Sequence, residues 1–68
     1  MNDEVFNLEL RKFLKRFGIT AQREIEHAVA AGRAAGKLAG DETLKARVVL
    51  TIDGMGTLAT VEGEIALQ

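Results

Sequence analysis

The spacing of the apolar residues changes once along the chain, at about Gly40, and this change constrains the fold more than any other feature. Before it, apolar residues recur at helical spacing, so that one helix face carries Phe6, Leu10, Phe13, Leu14 and Phe17. After it, they alternate strictly, as in a strand with one buried face: Leu44, Ala46, Val48, Leu50 and Ile52. The sequence therefore predicts helices in the first half and strands in the second.

Glycines divide the predicted helical half into two helices. Asn2 or Asp3 is the expected N-cap of a first helix over residues 3–17, and Gly18, which follows the first apolar face, is expected to end it. Thr20 is then the expected N-cap of a second helix over residues 21–35, with Gly36 as its left-handed C-terminal cap. The second helix has smaller apolar side chains, which favour close approach to another backbone: Ile25, Ala28, Val29 and Gly32.

Two alternating segments, residues 44–52 and 57–67, predict an antiparallel β-hairpin connected by residues 53–56. A four-residue loop pairs Ile52 with Thr57 and joins apolar to apolar and cation to anion: Leu50 with Ala59, Val48 with Val61, Leu44 with Ile65, Lys45 with Glu64, Arg47 with Glu62. A two-residue turn keeps the same faces but pairs fewer charges. We therefore favour the longer loop.

The expected fold is α+β with the order helix, helix, strand, strand (ααββ), the two helices packing on the hairpin as a single domain over residues 1–68. A chain of this size buries only about 60% of its surface, and it has no Cys, Pro, Trp or Tyr. Two helices leave both edges of a two-stranded sheet open. We expect a homodimer whose sheet continues across the two chains. The alternative is that charged residues such as Lys45 and Arg47 protect the edges of a monomer.

The overall charge favours no nucleic-acid or membrane partner, and either would need a local patch of charge. The formal net charge is −1, so no overall field attracts nucleic acid or an anionic membrane. The first residues are acidic where a secretory signal is basic, and no apolar run is long enough for a membrane span. A cytoplasmic protein is expected.

Catalytic chemistry has little support in the sequence. Ser and Cys are absent and His27 is the only histidine, so the usual nucleophiles and acid–base pairs are missing. Glu24 and His27 have the spacing of a di-metal carboxylate motif, but the first helix offers only Glu9 as a further ligand. No glycine-rich segment precedes a Lys-Ser/Thr pair as in phosphate loops. We expect no enzyme activity, no cofactor and no metal.

A basic patch on the helices is the best argument for nucleic-acid binding, and it comprises Arg11, Lys12, Lys15, Arg16 and Arg23. The simpler interpretation is that these cations form a solvated helix end that the helix dipole favours. A helix-turn-helix around Gly18 would use Gln22, Arg23 and Glu26 as readers. However, it would put polar residues, among them Glu24, where that motif has a buried apolar side chain.

Protein–protein interaction is the function we expect, with weak nucleic-acid binding as the alternative. Beyond the dimer contact, a partner is expected either on the remaining sheet edge or on the outer face of the sheet. That face has a semi-apolar patch of Val49, Thr51, Leu58 and Thr60. We call these four residues the outer patch.

Short segments along the whole chain resemble a family of short bacterial proteins of uncharacterised function. They are Arg11-Lys12-Phe13-Leu14, Gly18-Ile19-Thr20, Gln22-Arg23-Glu24-Ile25-Glu26, Gly36-Lys37-Leu38, Asp41-Glu42-Thr43-Leu44 and Val61-Glu62-Gly63-Glu64-Ile65. The resemblance implies a stand-alone bacterial domain. It implies no activity, ligand or site.

Overall fold

The computed structural model describes all residues, 1–68, and contains one helix followed by one hairpin. Helix α1 spans Asp3–Ala34, strand β1 spans Thr43–Ile52 and strand β2 spans Gly56–Ala66. The strands form an antiparallel two-stranded sheet. The α+β class and the helix-before-strand order are thus confirmed, whereas the prediction of two helices is wrong.

The chain separates into two compact units, Met1–Lys37 and Leu38–Gln68. The first unit is α1 with its caps, and the second is the hairpin with the segment that leads into it. No residue of the chain is buried. Neither unit therefore has a buried apolar core of its own.

The helix continues through Gly18, where the sequence predicted its end. Gly18 keeps a negative φ, and a glycine inside a helix is destabilising by only about 1 kcal/mol relative to alanine. Thr20 lies within the helix and caps nothing. A single glycine between two strongly helical segments therefore does not interrupt the backbone hydrogen bonding on either side.

The predicted caps at the two outer ends are confirmed. The Asn2 side chain accepts hydrogen bonds from the backbone N–H groups of Glu4 and Val5, both at 3.0 Å. At the other end Gly36 has a φ of 74°. The next residue, Lys37, donates its N–H to the Gly32 carbonyl at 2.8 Å, which completes a Schellman motif.

The hairpin has the expected register over most of its length. The pairs Leu44–Ile65, Lys45–Glu64, Arg47–Glu62, Val48–Val61 and Leu50–Ala59 are all present. The Arg47 Nε lies 3.5 Å from the Glu62 Oε1, so the expected cross-strand ion pair forms on the charged face. The alternating charges and apolar residues were sufficient to predict this register.

The register changes near the turn, between Leu50 and Thr51. Thr51 pairs with Thr57 and Ile52 with Gly56, so the predicted pairing of Ile52 with Thr57 is wrong. Leu58 is the extra residue of a β-bulge. The bulge shortens the loop to residues 53–55.

Two glycines make the short loop feasible. The N–H of Met55 donates to the Ile52 carbonyl at 2.9 Å, which closes a four-residue turn. Gly54 is its third residue and has a φ of 83°, as a type II turn requires, and Gly56 follows at 73°. Left-handed backbone at these two positions reverses the chain where the sequence had predicted a longer loop.

Candidate interaction surfaces

Because α1 is continuous, the two predicted apolar faces combine into one stripe along the whole helix. Its members are spaced four, four and three residues apart, and the pattern then repeats. We call it the apolar stripe: Phe6, Leu10, Leu14, Phe17, Ala21, Ile25, Ala28 and Gly32. The sequence contains this eleven-residue repeat, but a helix end predicted at Gly18 divides it into two separate faces.

The large side chains of the apolar stripe lie open to solvent. Phe6 is 51% exposed, Leu14 51%, Phe17 42% and Ile25 40%. Phe13, which flanks the stripe, is 56% exposed. Soluble monomers rarely expose contiguous apolar patches of more than a few hundred square ångströms, so a surface of this kind is typical of an interaction site.

The basic patch lies on the same continuous helix, away from the apolar stripe. Lys12 Nζ is 3.6 Å from Glu9 Oε1, an ion pair between residues three apart on the helix, and both side chains are exposed to solvent. Arg11, Lys15, Arg16 and Arg23 also lie on exposed turns of α1. Nucleic-acid binding through this patch stays a prediction.

The continuous helix also bears on the helix-turn-helix and di-metal hypotheses. A helix-turn-helix needs a turn at Gly18, and the helix has none there. Glu24 and His27 lie one turn apart on α1, and no group of three or more potential ligands of the His, Cys, Asp or Glu type comes together anywhere in the structure.

The outer patch is divided by the bulge. Val49 pairs directly with Thr60, whereas Thr51 pairs with Thr57 and Leu58 is the unpaired bulge residue. Val49 is 55% exposed and Leu58 49%. The structure thus places all four residues at the turn end of the hairpin, and partner binding there stays a prediction.

A shallow depression of about 340 Å³ lies further along the hairpin, lined by Lys45, Ala46, Arg47, Glu62, Gly63 and Glu64. Its charged side chains come in opposite pairs, Lys45 with Glu64 and Arg47 with Glu62. Because each cation faces an anion of the same sheet, the depression has no excess charge with which to select an ionic ligand.

One carboxylate organises the segment that leads from the helix to the hairpin, and sequence analysis missed it. Glu42 accepts backbone N–H hydrogen bonds from Ala39, Gly40 and Asp41, with distances of 2.8–3.1 Å. These donors, led by the Ala39 N–H, hold the pKa of the Glu42 carboxyl below its usual range. The sequence contains a signal for this arrangement, since an acidic side chain near a glycine often accepts hydrogen bonds from nearby backbone N–H groups.

This arrangement predicts a pH effect on the connecting segment. A lowered pKa in the folded state means that the ionised carboxylate stabilises the fold above the unfolded pKa, and that this stability is lost as pH falls through the folded pKa. NMR titration of Glu42 should show a midpoint below the usual range of glutamate. The amides of residues 39–41 should lose protection from exchange at low pH and, at neutral pH, in Glu42→Gln.

The matched control is Glu26→Gln, which removes a carboxylate from the helix surface and should leave those three amides protected. A Glu42 midpoint in the usual range of glutamate would contradict the prediction. So would unchanged protection of residues 39–41 in Glu42→Gln.

Comparison with known proteins adds a family but no activity. Helix α1 does not combine the length and apolar character that crossing a membrane requires. No curated protein and no solved structure matches the chain. The resemblance to a family of uncharacterised function is confirmed, since the family's sequence model matches residues 1–68. The chain belongs to the family of unknown function DUF6494.

Proposed function

We propose that this protein is a small, non-catalytic interaction module that works as a homodimer. The observation that carries the proposal is the apolar stripe, which runs along α1 and contains no buried residue. A single amphipathic helix gains most of its stability from packing its apolar face against something else. A second copy of the chain has the same apolar face, and a two-fold dimer brings these two identical faces together.

The exposed phenylalanines of α1 supply a substantial share of the area that a specific contact buries. A phenylalanine buries roughly 150–250 Å² when it is fully enclosed, and the three phenylalanines of α1 are still 42–56% exposed. They alone therefore retain about 300 Å² per chain, against about 800 Å² per partner in a specific interface. Leu10, Leu14 and Ile25 extend the same surface.

The edges of the hairpin offer a second place for self-association. Both strands have one edge without a partner strand, and an open edge presents free N–H and C=O groups to another strand. A sheet that continues across two copies is our proposal for these edges. Residues Lys45 and Arg47 on β1 oppose it if their charges protect the edge.

Light scattering after size-exclusion chromatography tests the proposal. We expect twice the 7.4 kDa chain mass, falling toward the chain mass on dilution as association equilibria do. A mass equal to one chain at every concentration, with the helix still formed by circular dichroism, would overturn it. The absence of catalysis is part of the same proposal, and it rests on a sequence without Ser or Cys and with a single His.

A further inference from the structure

We propose that the second copy packs on the apolar stripe as an antiparallel helix centred near Ile19. Position 6 of one copy then faces position 32 of the other, 10 faces 28 and 17 faces 21. This inference rests on the proposed function, because it names the geometry of the self-association proposed there. It needs only α1, and holds whether or not the hairpin edges also pair.

The sizes of the side chains favour this direction. The first half of the stripe is bulky, with Phe6, Leu10, Leu14 and Phe17, whereas the second half is mostly small, with Ala21, Ala28 and Gly32. An antiparallel pair sets Phe6, Leu10 and Phe17 opposite Gly32, Ala28 and Ala21, and only Leu14 lies beside another large side chain, Ile25 of the second copy. Packed helices lie 8–10 Å apart according to the side chains between them, so this pairing keeps the separation more even than a parallel one.

A parallel pair does the opposite. It sets Phe6 and Phe17 against their own copies at one end and Ala28 and Gly32 against theirs at the other. The helices would have to separate at the phenylalanine end and approach at the glycine end. Either a gap or an overpacked contact results, and both are destabilising.

The charges along α1 favour the same direction. Residues 10–17 carry four cations and no carboxylate, and residues 21–28 carry two carboxylates and one arginine. Residues 3–9 carry three carboxylates and no cation, and residues 29–35 carry one arginine. The antiparallel pair aligns residues 10–17 with residues 21–28 of the other copy, and residues 3–9 with residues 29–35. Both alignments place a segment of net positive charge beside one of net negative charge.

A parallel pair in register aligns every segment with its own copy, which places four cations beside four cations. Like charges in neighbouring positions repel and select against that partner arrangement. Charge complementarity thus adds to the size argument for an antiparallel second copy.

The spacing of the apolar stripe predicts how strongly the two helices coil around each other. A heptad seam through Phe6, Leu10, Phe13 and Phe17 would continue through Thr20, Glu24 and His27, all polar. The eleven-residue repeat instead meets Ala21, Ile25 and Ala28. Because that period is slightly longer than the 3.6-residue turn, it gives nearly straight helices with a weak right-handed twist.

Spin-label distances test the direction of the pair. The chain has no native cysteine, so the single variants Leu8→Cys, Ile19→Cys and Ala30→Cys each carry one label per copy. These positions are eleven residues apart and lie on the same outward face of α1. Leu8 and Ile19 are 53% and 51% exposed, which makes the labels comparable and keeps them off the apolar stripe.

In the antiparallel pair the two labels at position 19 lie at the same height and are separated only by the width of the pair. The two labels at position 8, or at position 30, are also offset along the helix axis by about 33 Å, since the helix rises 1.5 Å per residue. We therefore expect one short distance, at 19, and two longer, equal ones. Equal distances at all three positions would overturn the antiparallel direction and leave the homodimer standing. A dimer mass with no short distance at 19 would overturn the helix contact. A monomer mass in every variant and in the parent chain would overturn the proposed function itself.

A packing variant supplies a second, independent readout. Ala28→Leu puts a large side chain opposite Leu10 in the antiparallel pair, and overpacking of this kind should weaken dimerisation by about tenfold or more. In a parallel pair the same change fills the gap between two Ala28 residues and strengthens dimerisation. Ala30→Leu, on the outward face, is the matched control and should leave the dissociation constant unchanged. Tighter dimerisation by Ala28→Leu would overturn the proposal.

Discussion

Replacing Phe17 with aspartate is expected to convert the dimer into a monomer. Phe17 lies in the middle of the apolar stripe, and in the proposed pair it faces Ala21 of the other copy. The substitution removes an aromatic side chain from the contact and leaves a carboxylate without a partner there. Each of these changes destabilises a buried site by about 3–5 kcal/mol. The measurement is the mass by light scattering, together with helicity by circular dichroism.

Ile19→Asp is the control for that experiment. Ile19 is 51% exposed against 42% for Phe17, lies two residues away and receives the same charge in the same helix. Because it lies on the outward face of α1, it should keep the parent mass. A dimer of unchanged stability in Phe17→Asp, or equal dissociation of both variants, would show that the apolar stripe is not the contact.

Replacing Gly54 with valine is expected to open the hairpin. Gly54 has a φ of 83°, and left-handed backbone is unfavourable by roughly 1–2 kcal/mol for residues with a Cβ, and more for a β-branched one. A two-stranded hairpin has little stability in reserve, so much of the population should unfold. Cross-strand NOEs between Val48 and Val61 measure the folded fraction.

Gly63→Val is the matched control within the same hairpin. Gly63 has no positive φ, and a Cβ built on it meets nothing within 4 Å. Valine favours strands and glycine weakens them, so this change should strengthen the cross-strand NOEs. Equal losses in both variants would show that any side chain disturbs the hairpin, and that left-handed backbone at Gly54 is not the reason.

Local patterns predict the pairing of the hairpin strands but not the geometry of its turn. The hairpin register follows from side chains that have to match across strands, such as Lys45 with Glu64 and Val48 with Val61. The bulge at Leu58 and the short loop depend on glycine conformations at Gly54 and Gly56. Glycine is equally compatible with several turn geometries, so composition alone did not select among them.

The helix shows the same ambiguity at Gly18. A glycine after an apolar face is the usual signal of a helix end, and the same residue inside a helix is destabilising by only about 1 kcal/mol. At Gly36 the first meaning applies, because Lys37 and Gly36 donate back to Gly32 and Arg33. At Gly18 the second applies. The choice decides whether the chain has two short apolar faces or one long stripe, and so determines the candidate contact.

The sequence by itself determined the α+β class, the outer caps of the helix, the hairpin and most of its register, because each depends on neighbours in the chain or on a period of side chains. Only the tertiary structure decided that α1 runs unbroken to Ala34, that Leu58 is a bulge residue, and that Glu42 holds three backbone N–H groups. Those outcomes depend on small free-energy differences between alternative backbone conformations, such as the roughly 1 kcal/mol for a glycine inside a helix. Local patterns do not resolve differences of that size.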